Sequence, residues 1–246
     1  MPFTGENMIY KATCTSTNTL AMHLISNETI PEGTVVITDH QSNGRGQREN
    51  SWISEPYKNL TFSLILYPTW LTIKESFYLT IITTIAIHEV LETYIYKDLF
   101  VKWPNDIYYQ NKKIGGILIE NSVNKNKIKA SVIGIGLNVN QTKFNLPHAS
   151  SLFLACGYEF NLSSLLVQLT GAIQTKYKQL YKEGPHLFKK AYLEKLYWIN
   201  QPRIFQDQEG MFKGTIQGID EIGRLLVRKE NNGLSCYNCQ EIKFIK

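Results

Sequence analysis

Apolar and polar positions follow two periods along this chain, and the changes of period mark its elements. Residues 8–13 alternate and predict a strand. Ser16 then stands at the N-cap of a helix running through Leu20 and Leu24. Residues 35–40 predict a second strand, followed by a loop over 41–52 that carries glycines and arginines. An apolar run of strand length, 60–67, stops at Pro68, and 73–96 reads as one long, largely buried helix. Short strands follow at 100–103, at 107–110 and 113–120 as a hairpin around Asn111, and at 127–139. Together these predict a central sheet of about six or seven strands. Two helices over 162–181 and 186–196 are separated by Gly184-Pro185, after which the texture turns to short β runs at 203–206, 211–219, 224–229 and 241–245. The pattern predicts an α+β fold of a larger domain, 1–198, and a small β-barrel-like unit, 199–246.

Composition narrows the class without deciding it. The 246 residues are 43% hydrophobic and 19% charged, enough for one sizeable core. Twenty-six basic against 21 acidic residues give a net charge of +5, too small and scattered to mark a nucleic-acid protein. The N-terminus lacks the basic-then-apolar pattern of a secretory signal, so a cytoplasmic location is expected. The apolar stretches 60–73 and 77–90 are too short and too interrupted to span a membrane. Of the four cysteines, Cys236 and Cys239 form a C-x-x-C pair, but no second pair or histidine stands at zinc-like spacing. Reduced thiols and no metal site are the expectation.

Two segments carry the candidate chemistry. In the loop from Gly44 to Trp52, two glycines one residue apart let the backbone approach a ligand, while Arg45 and Arg48 supply charge-assisted donors for phosphate or carboxylate. Alone, such a loop is equally well read as a solvated hairpin loop. In the second segment, Lys102-Trp103-Pro104-Asn105-Asp106, a lysine at a strand end beside a proline corner is a fixed positive charge; the alternative is a lysine snorkelling at the surface.

That corner, together with Gly115-Gly116-Ile117-Leu118-Ile119-Glu120, resembles the signature of biotin protein ligases. The glycine-arginine loop, Ser16-Thr17-Asn18, Gln41, the stretch from Gly134 to Asn140 and the stretch from Gly218 to Leu225 are similar to the same family, in order along essentially the whole chain. The resemblance implies a mixed central sheet flanked by helices, the class II synthetase-like biotin/lipoate ligase fold, with a C-terminal SH3-like β-barrel. It also implies adenylation of biotin by ATP to biotinyl-5'-AMP, with release of pyrophosphate. Transfer to a lysine of a biotin carboxyl carrier domain would follow.

The same resemblance implies the site residues. Ser16, Thr17, Asn18, Gln41, Arg45, Gly46, Gln47, Trp52, Lys102, Gly115 and Gly116 would bind biotin, Ser16, Thr17 and Gln41 holding the ureido ring and Trp52 the aliphatic tail. Arg45, Gln47, Arg48, Lys102 and Asn138 would serve ATP, Lys102 bridging the biotin carboxylate and the α-phosphate and Asn138 facing the nucleotide or its Mg2+. Lys102, Arg45 and Arg48 would carry the catalysis. Glu49, where a glycine is common, and Gln47, an arginine in some members, depart from the family loop and predict weaker retention of the adenylate. The loop over 41–52 is expected to order over that adenylate.

Some relatives carry an N-terminal DNA-binding domain, for which the chain ahead of Ser16 leaves too little room. A monofunctional ligase that ignores DNA is therefore expected, with an acceptor docking by its strand edge and self-dimerisation left open. A lipoate protein ligase, a nucleic-acid module and an inactive interaction protein are the alternatives. The 102–120 motifs, the scattered basic residues of the tail and the intact lysine and arginines argue against them in turn.

Overall fold

The computed structural model describes residues 7–48, 50–230 and 233–245. Glu49, a departure named above, lies outside them. Strand β1 (Met8–Cys14) leads through helix α1 (Thr17–Asn27) into β2 (Val35–Gln41), parallel to β1. β3 (Leu60–Leu66), β4 (Leu99–Lys102), β5 (Asp106–Tyr109), β6 (Lys112–Asn124) and β7 (Lys127–Leu137) complete a mixed seven-stranded sheet in the order β1-β2-β3-β7-β6-β5-β4. Every pair beyond β1 and β2 is antiparallel.

β3 shows how the two faces of this sheet differ. Leu60, Phe62, Leu64 and Leu66 point into the main core, whereas the intervening Thr61, Ser63 and Ile65 face α1. Side chains alternate across a strand, so what looks like an apolar run carries two small polar residues on one face. Helix α2 (Phe77–Glu92) covers the apolar face and is buried almost all round, as a helix hydrophobic on every side must be.

The expected single helix over 73–96 is divided. Residues Ile73–Glu75 form one 3-10 turn closed by Thr72, whose backbone N–H donates to Glu75 Oε2 at 2.9 Å, and α2 ends at Glu92. A side-chain cap supplies the bonds that a continuous helix would have made. Short helix α3 (Leu152–Cys156) was not foreseen, although Ser151 caps its start and Gly157 its left-handed end. α4 (Leu162–Glu183) and α5 (His186–Glu194) match expectation closely. No helix is long and apolar enough to cross a membrane among the described residues.

Beyond α5, strands β8 (Pro202–Asp207), β9 (Gly210–Ile219), β10 (Leu225–Lys229), β11 (Gly233–Tyr237) and β12 (Lys243–Ile245) form an antiparallel sheet in the order β11-β10-β9-β8-β12. The predicted small β unit is present with one strand more than expected, β11. It is an open sheet rather than a closed barrel: β11 pairs with β10 and β12 with β8, and the two edges do not pair with each other among the described residues. Phe205, Ile216, Leu225 and Val227 join the same hydrophobic cluster as Leu64 and Ile135, so both sheets share one core.

Candidate active site

The floor of the site is the α1 face of β3, β7 and β6, which bears small residues where neighbouring positions carry bulk. A Cβ on Gly134 would stand 2.2 Å from Asn18 Oδ1, and one on Gly136 2.3 Å from the Trp52 ring. Both glycines are thus required by close approach: one seats the start of α1 and the other the end of the glycine-arginine loop over 41–52, the reaction loop. Above this floor lies a cavity of about 940 Å³, large for a single small ligand.

One end of the cavity is a chain of polar contacts. The backbone N–H of Thr17 donates to Gln41 Oε1 at 2.8 Å, and the buried Ser63 hydroxyl bridges Thr17 Oγ1 (2.8 Å) and Asn18 Oδ1 (2.7 Å). Asn18 Nδ2 donates to Glu120 Oε2 at 2.9 Å, and the other Glu120 oxygen accepts from Arg45 Nη2 at 2.8 Å. Ser16 occupies the N-cap without bonding its hydroxyl to the helix, which leaves that group for a ligand. Trp52 closes the wall, its indole nitrogen buried with no partner among the described residues, the kind of donor a bound molecule satisfies.

Lys102 reaches the cavity from the end of β4. Its ammonium donates to the Tyr108 hydroxyl at 3.4 Å and lies 4.9 Å from the ring centroid of Phe244 on β12. Burial pushes the Tyr108 phenol well above its ordinary pKa, so it stays neutral beside the lysine. Lys113 also lines the cavity, paired with Asp106 at 2.7 Å and 5.6 Å from the Trp52 ring centroid.

The corner after Lys102 is held from outside. Trp103 Nε1 donates to Gly223 O at 2.8 Å, the Tyr192 hydroxyl donates to Pro104 O at 3.0 Å, and Asn105 Nδ2 donates to Ile117 O. The Gly218–Leu225 stretch therefore docks the second sheet onto the lysine-bearing corner.

Ser16, Thr17, Asn18, Gln41, Arg45, Gly46, Gln47, Trp52, Lys102 and Gly116 all line this one cavity. Three expected residues do not. Gly115 faces the core, where an added Cβ would meet Leu137 and Ile107. Asn138 is buried with its Nδ2 on Ser150 O at 2.9 Å, so it braces the chain leading to α3 instead of facing the cavity. Arg48 is exposed, its Nη1 donating to Gln240 Oε1 at 2.6 Å. Residues not singled out from the sequence also reach the site. Ser63 was hidden in an apolar run, Lys113 lay just ahead of the Gly115–Glu120 motif without a role, and Cys239, Gln240, Lys243 and Phe244 come from the C-terminal sheet.

Residues 10–138 match the model of the biotin/lipoate A/B protein ligase family. The chain belongs to that family. This ligase is 30% identical over 235 residues to the bifunctional ligase/repressor BirA of Bacillus subtilis, covering 94% of the chain and 71% of that relative. It is 25% identical to the biotin–[acetyl-CoA-carboxylase] ligase of Paracoccus denitrificans, covering 78% of the chain and 83% of the relative. The biotin protein ligase from Aquifex aeolicus, solved in complex with biotin and ATP, superposes with a TM-score of 0.80 at 25% identity over 98% of this chain and 99% of that one.

Proposed function

We propose that this ATP-dependent biotin–protein ligase activates biotin as biotinyl-5'-AMP and transfers the biotinyl group to a lysine of a biotin carboxyl carrier domain. The observation that carries the reading is the convergence, in one cavity, of the Ser16, Thr17 and Gln41 hydrogen-bonding end with the Lys102 cation. Family membership and the relatives named above support it.

In the first step a biotin carboxylate oxygen attacks the α-phosphorus of ATP. The bond to the bridging oxygen breaks, and pyrophosphate leaves with that electron pair. In the second, the acceptor amine attacks the acyl carbon and AMP departs. No protein nucleophile is needed. The obstacle is bringing two anions together, and Lys102 between the carboxylate and the α-phosphate lowers it, with Arg45 and Arg48 assisting. Ser16, Thr17 and Gln41 would bond the ureido ring, with Asn18 bracing Thr17 through Ser63. Trp52 would cover the aliphatic tail above Gly136, and Gly46, Gln47 and Gly116 would shape the walls.

Magnesium belongs to the substrate in this reading. The cavity lining offers one carboxylate, Asp106, already paired with Lys113, and no group of three or more His, Cys, Asp or Glu that could hold a metal occurs among the described residues. The ion is bound by the triphosphate and water and enters with the nucleotide.

Pyrophosphate release with ATP and biotin, lipoate or neither, followed by labelling of a purified carrier domain, tests the whole reading. Release with biotin alone and covalent labelling of the carrier lysine are expected. Equal turnover of lipoate would assign the chain to the other branch of the family.

A further inference from the structure

The reaction loop is tied to the C-terminal sheet at two adjacent points. Arg48 Nη1 donates to Gln240 Oε1 at 2.6 Å, and the Cys239 thiol lies 3.2 Å from Gln47 Oε1. Cys239 and Gln240 sit in the turn between β11 and β12, and both line the cavity. The turn is itself constrained. Glu241 accepts from the Asn238 backbone N–H at 2.6 Å and from Asn238 Nδ2 at 3.0 Å, and Gln240 takes a φ of +75°. Arg48 also stands at positive φ, +55°. The contact thus joins two residues that both hold a sparsely populated backbone conformation, Gln240 at the cavity lining and Arg48 on the exposed loop beside it.

The chemistry of the partner matters as much as its position. Arg45 is bound by a carboxylate, Glu120, which offsets its charge. Arg48 is bound by a neutral amide oxygen, which orients the guanidinium through one N–H and leaves its remaining donors for an anion.

We infer that Gln240 is a positioning residue for Arg48, so that the turn between β11 and β12 completes the nucleotide end of the adenylation site. This rests on the reading above that Arg48 serves the triphosphate. Cys239 supports the same contact by donating its thiol proton to Gln47, and burial raises its pKa, keeping that thiol protonated.

The test uses the full-length ligase with Gln240→Met, which keeps the side chain's length and removes the acceptor, and Gln240→Glu, which keeps an acceptor and adds a negative charge. Biotin-dependent pyrophosphate release is measured against ATP and against biotin, with transfer from supplied biotinyl-5'-AMP as the second readout. Gln240→Met should raise the KM for ATP about tenfold or more, as loss of one hydrogen bond to a charged group does. The KM for biotin, transfer from preformed adenylate and the melting temperature should not change. Gln240→Glu should weaken ATP at least as much, because it neutralises the guanidinium; a merely structural acceptor would make it resemble wild type. In an Arg48→Ala background neither substitution should have a further effect. Wild-type ATP kinetics in both variants, with Arg48→Ala impaired, would overturn this inference and leave the reading of the site intact. So would a defect shared equally by biotin binding or by stability. A wild-type protein that releases no pyrophosphate with biotin would overturn both.

Discussion

At the scale of the residue, Lys102 and His88 are opposite uses of a titratable group. Lys102 stands at a cavity wall beside the Tyr108 phenol and the Phe244 ring, where its proposed role is in the transition state rather than in the fold. Lys102→Ala should lower biotin-dependent pyrophosphate release roughly a hundredfold or more, since one charge-assisted contact in a transition state has about that effect. Melting should be nearly unchanged, and the variant should still pass biotin from supplied biotinyl-5'-AMP to the carrier; a folded variant with full adenylation activity would exclude the role. His88 is buried between α2 and β4, its Nε2 on Leu99 O at 3.0 Å. Burial above all, with Lys195 nearby, depresses its pKa below the ordinary 6.5, so it is neutral in the folded protein. Below about pH 6.5 the unfolded chain takes up a proton that the folded one refuses. The neutral imidazole therefore contributes stability that is full above that pH and is lost as pH falls toward the folded pKa. Between about pH 7.5 and pH 5.5 wild type should lose more melting temperature than His88→Gln does, as measured by calorimetry; equal slopes would show that other groups dominate.

At the scale of the element, the turn Gly218–Leu225 does what no single motif residue announces. Gly223 has φ +87°, and a Cβ there would fall 2.2 Å from the Phe77 ring at the start of α2, while its carbonyl takes the Trp103 indole proton. The glycine thus lets β9 and β10 rest on α2 and on the lysine-bearing corner together. Gly223→Ala combines an unfavourable backbone conformation with overpacking, and should cost about 2 kcal/mol or more, read as a lowered urea midpoint. Because the corner depends on that contact, adenylation should fall too, and a variant as stable as wild type would contradict the packing described. The elements were legible where periodicity is strong and local: α4, α5, β2 and the β5–β6 hairpin. They were less so where a side chain changes the outcome, as Thr72 and Glu75 do in front of α2. β3 hid its function because Thr61 and Ser63 are too small to break an apolar average, although their alternation marks a second face.

At the scale of the whole molecule, the two sheets bury one continuous core, with Phe205, Ile216 and Val227 in the same cluster as Leu64 and Ile135. The division into 1–198 and 199–246 is a proposal about chain organisation, and the shared core predicts that the parts unfold together. Urea unfolding followed by tryptophan fluorescence and by far-ultraviolet circular dichroism should give coincident, single transitions. Two separated transitions would show that the smaller sheet melts independently. What the sequence determined by itself was what neighbours in the chain decide: the family motifs, the strand and helix periods, and the segments that supply Ser16, Gln41, Arg45, Trp52 and Lys102 to one site. Only the tertiary structure decided which of those residues meet and who holds them. Ser63 joins Thr17 to Asn18, Glu120 holds Arg45, and Cys239 and Gln240 reach the reaction loop from a sheet almost two hundred residues away, 192 positions separating Arg48 from Gln240. It also turned Asn138 and Gly115 away from the cavity. The physical reason is that a period assigns a residue to a face, whereas a contact between distant segments depends on strand register and on how the sheets pack, which no local pattern encodes.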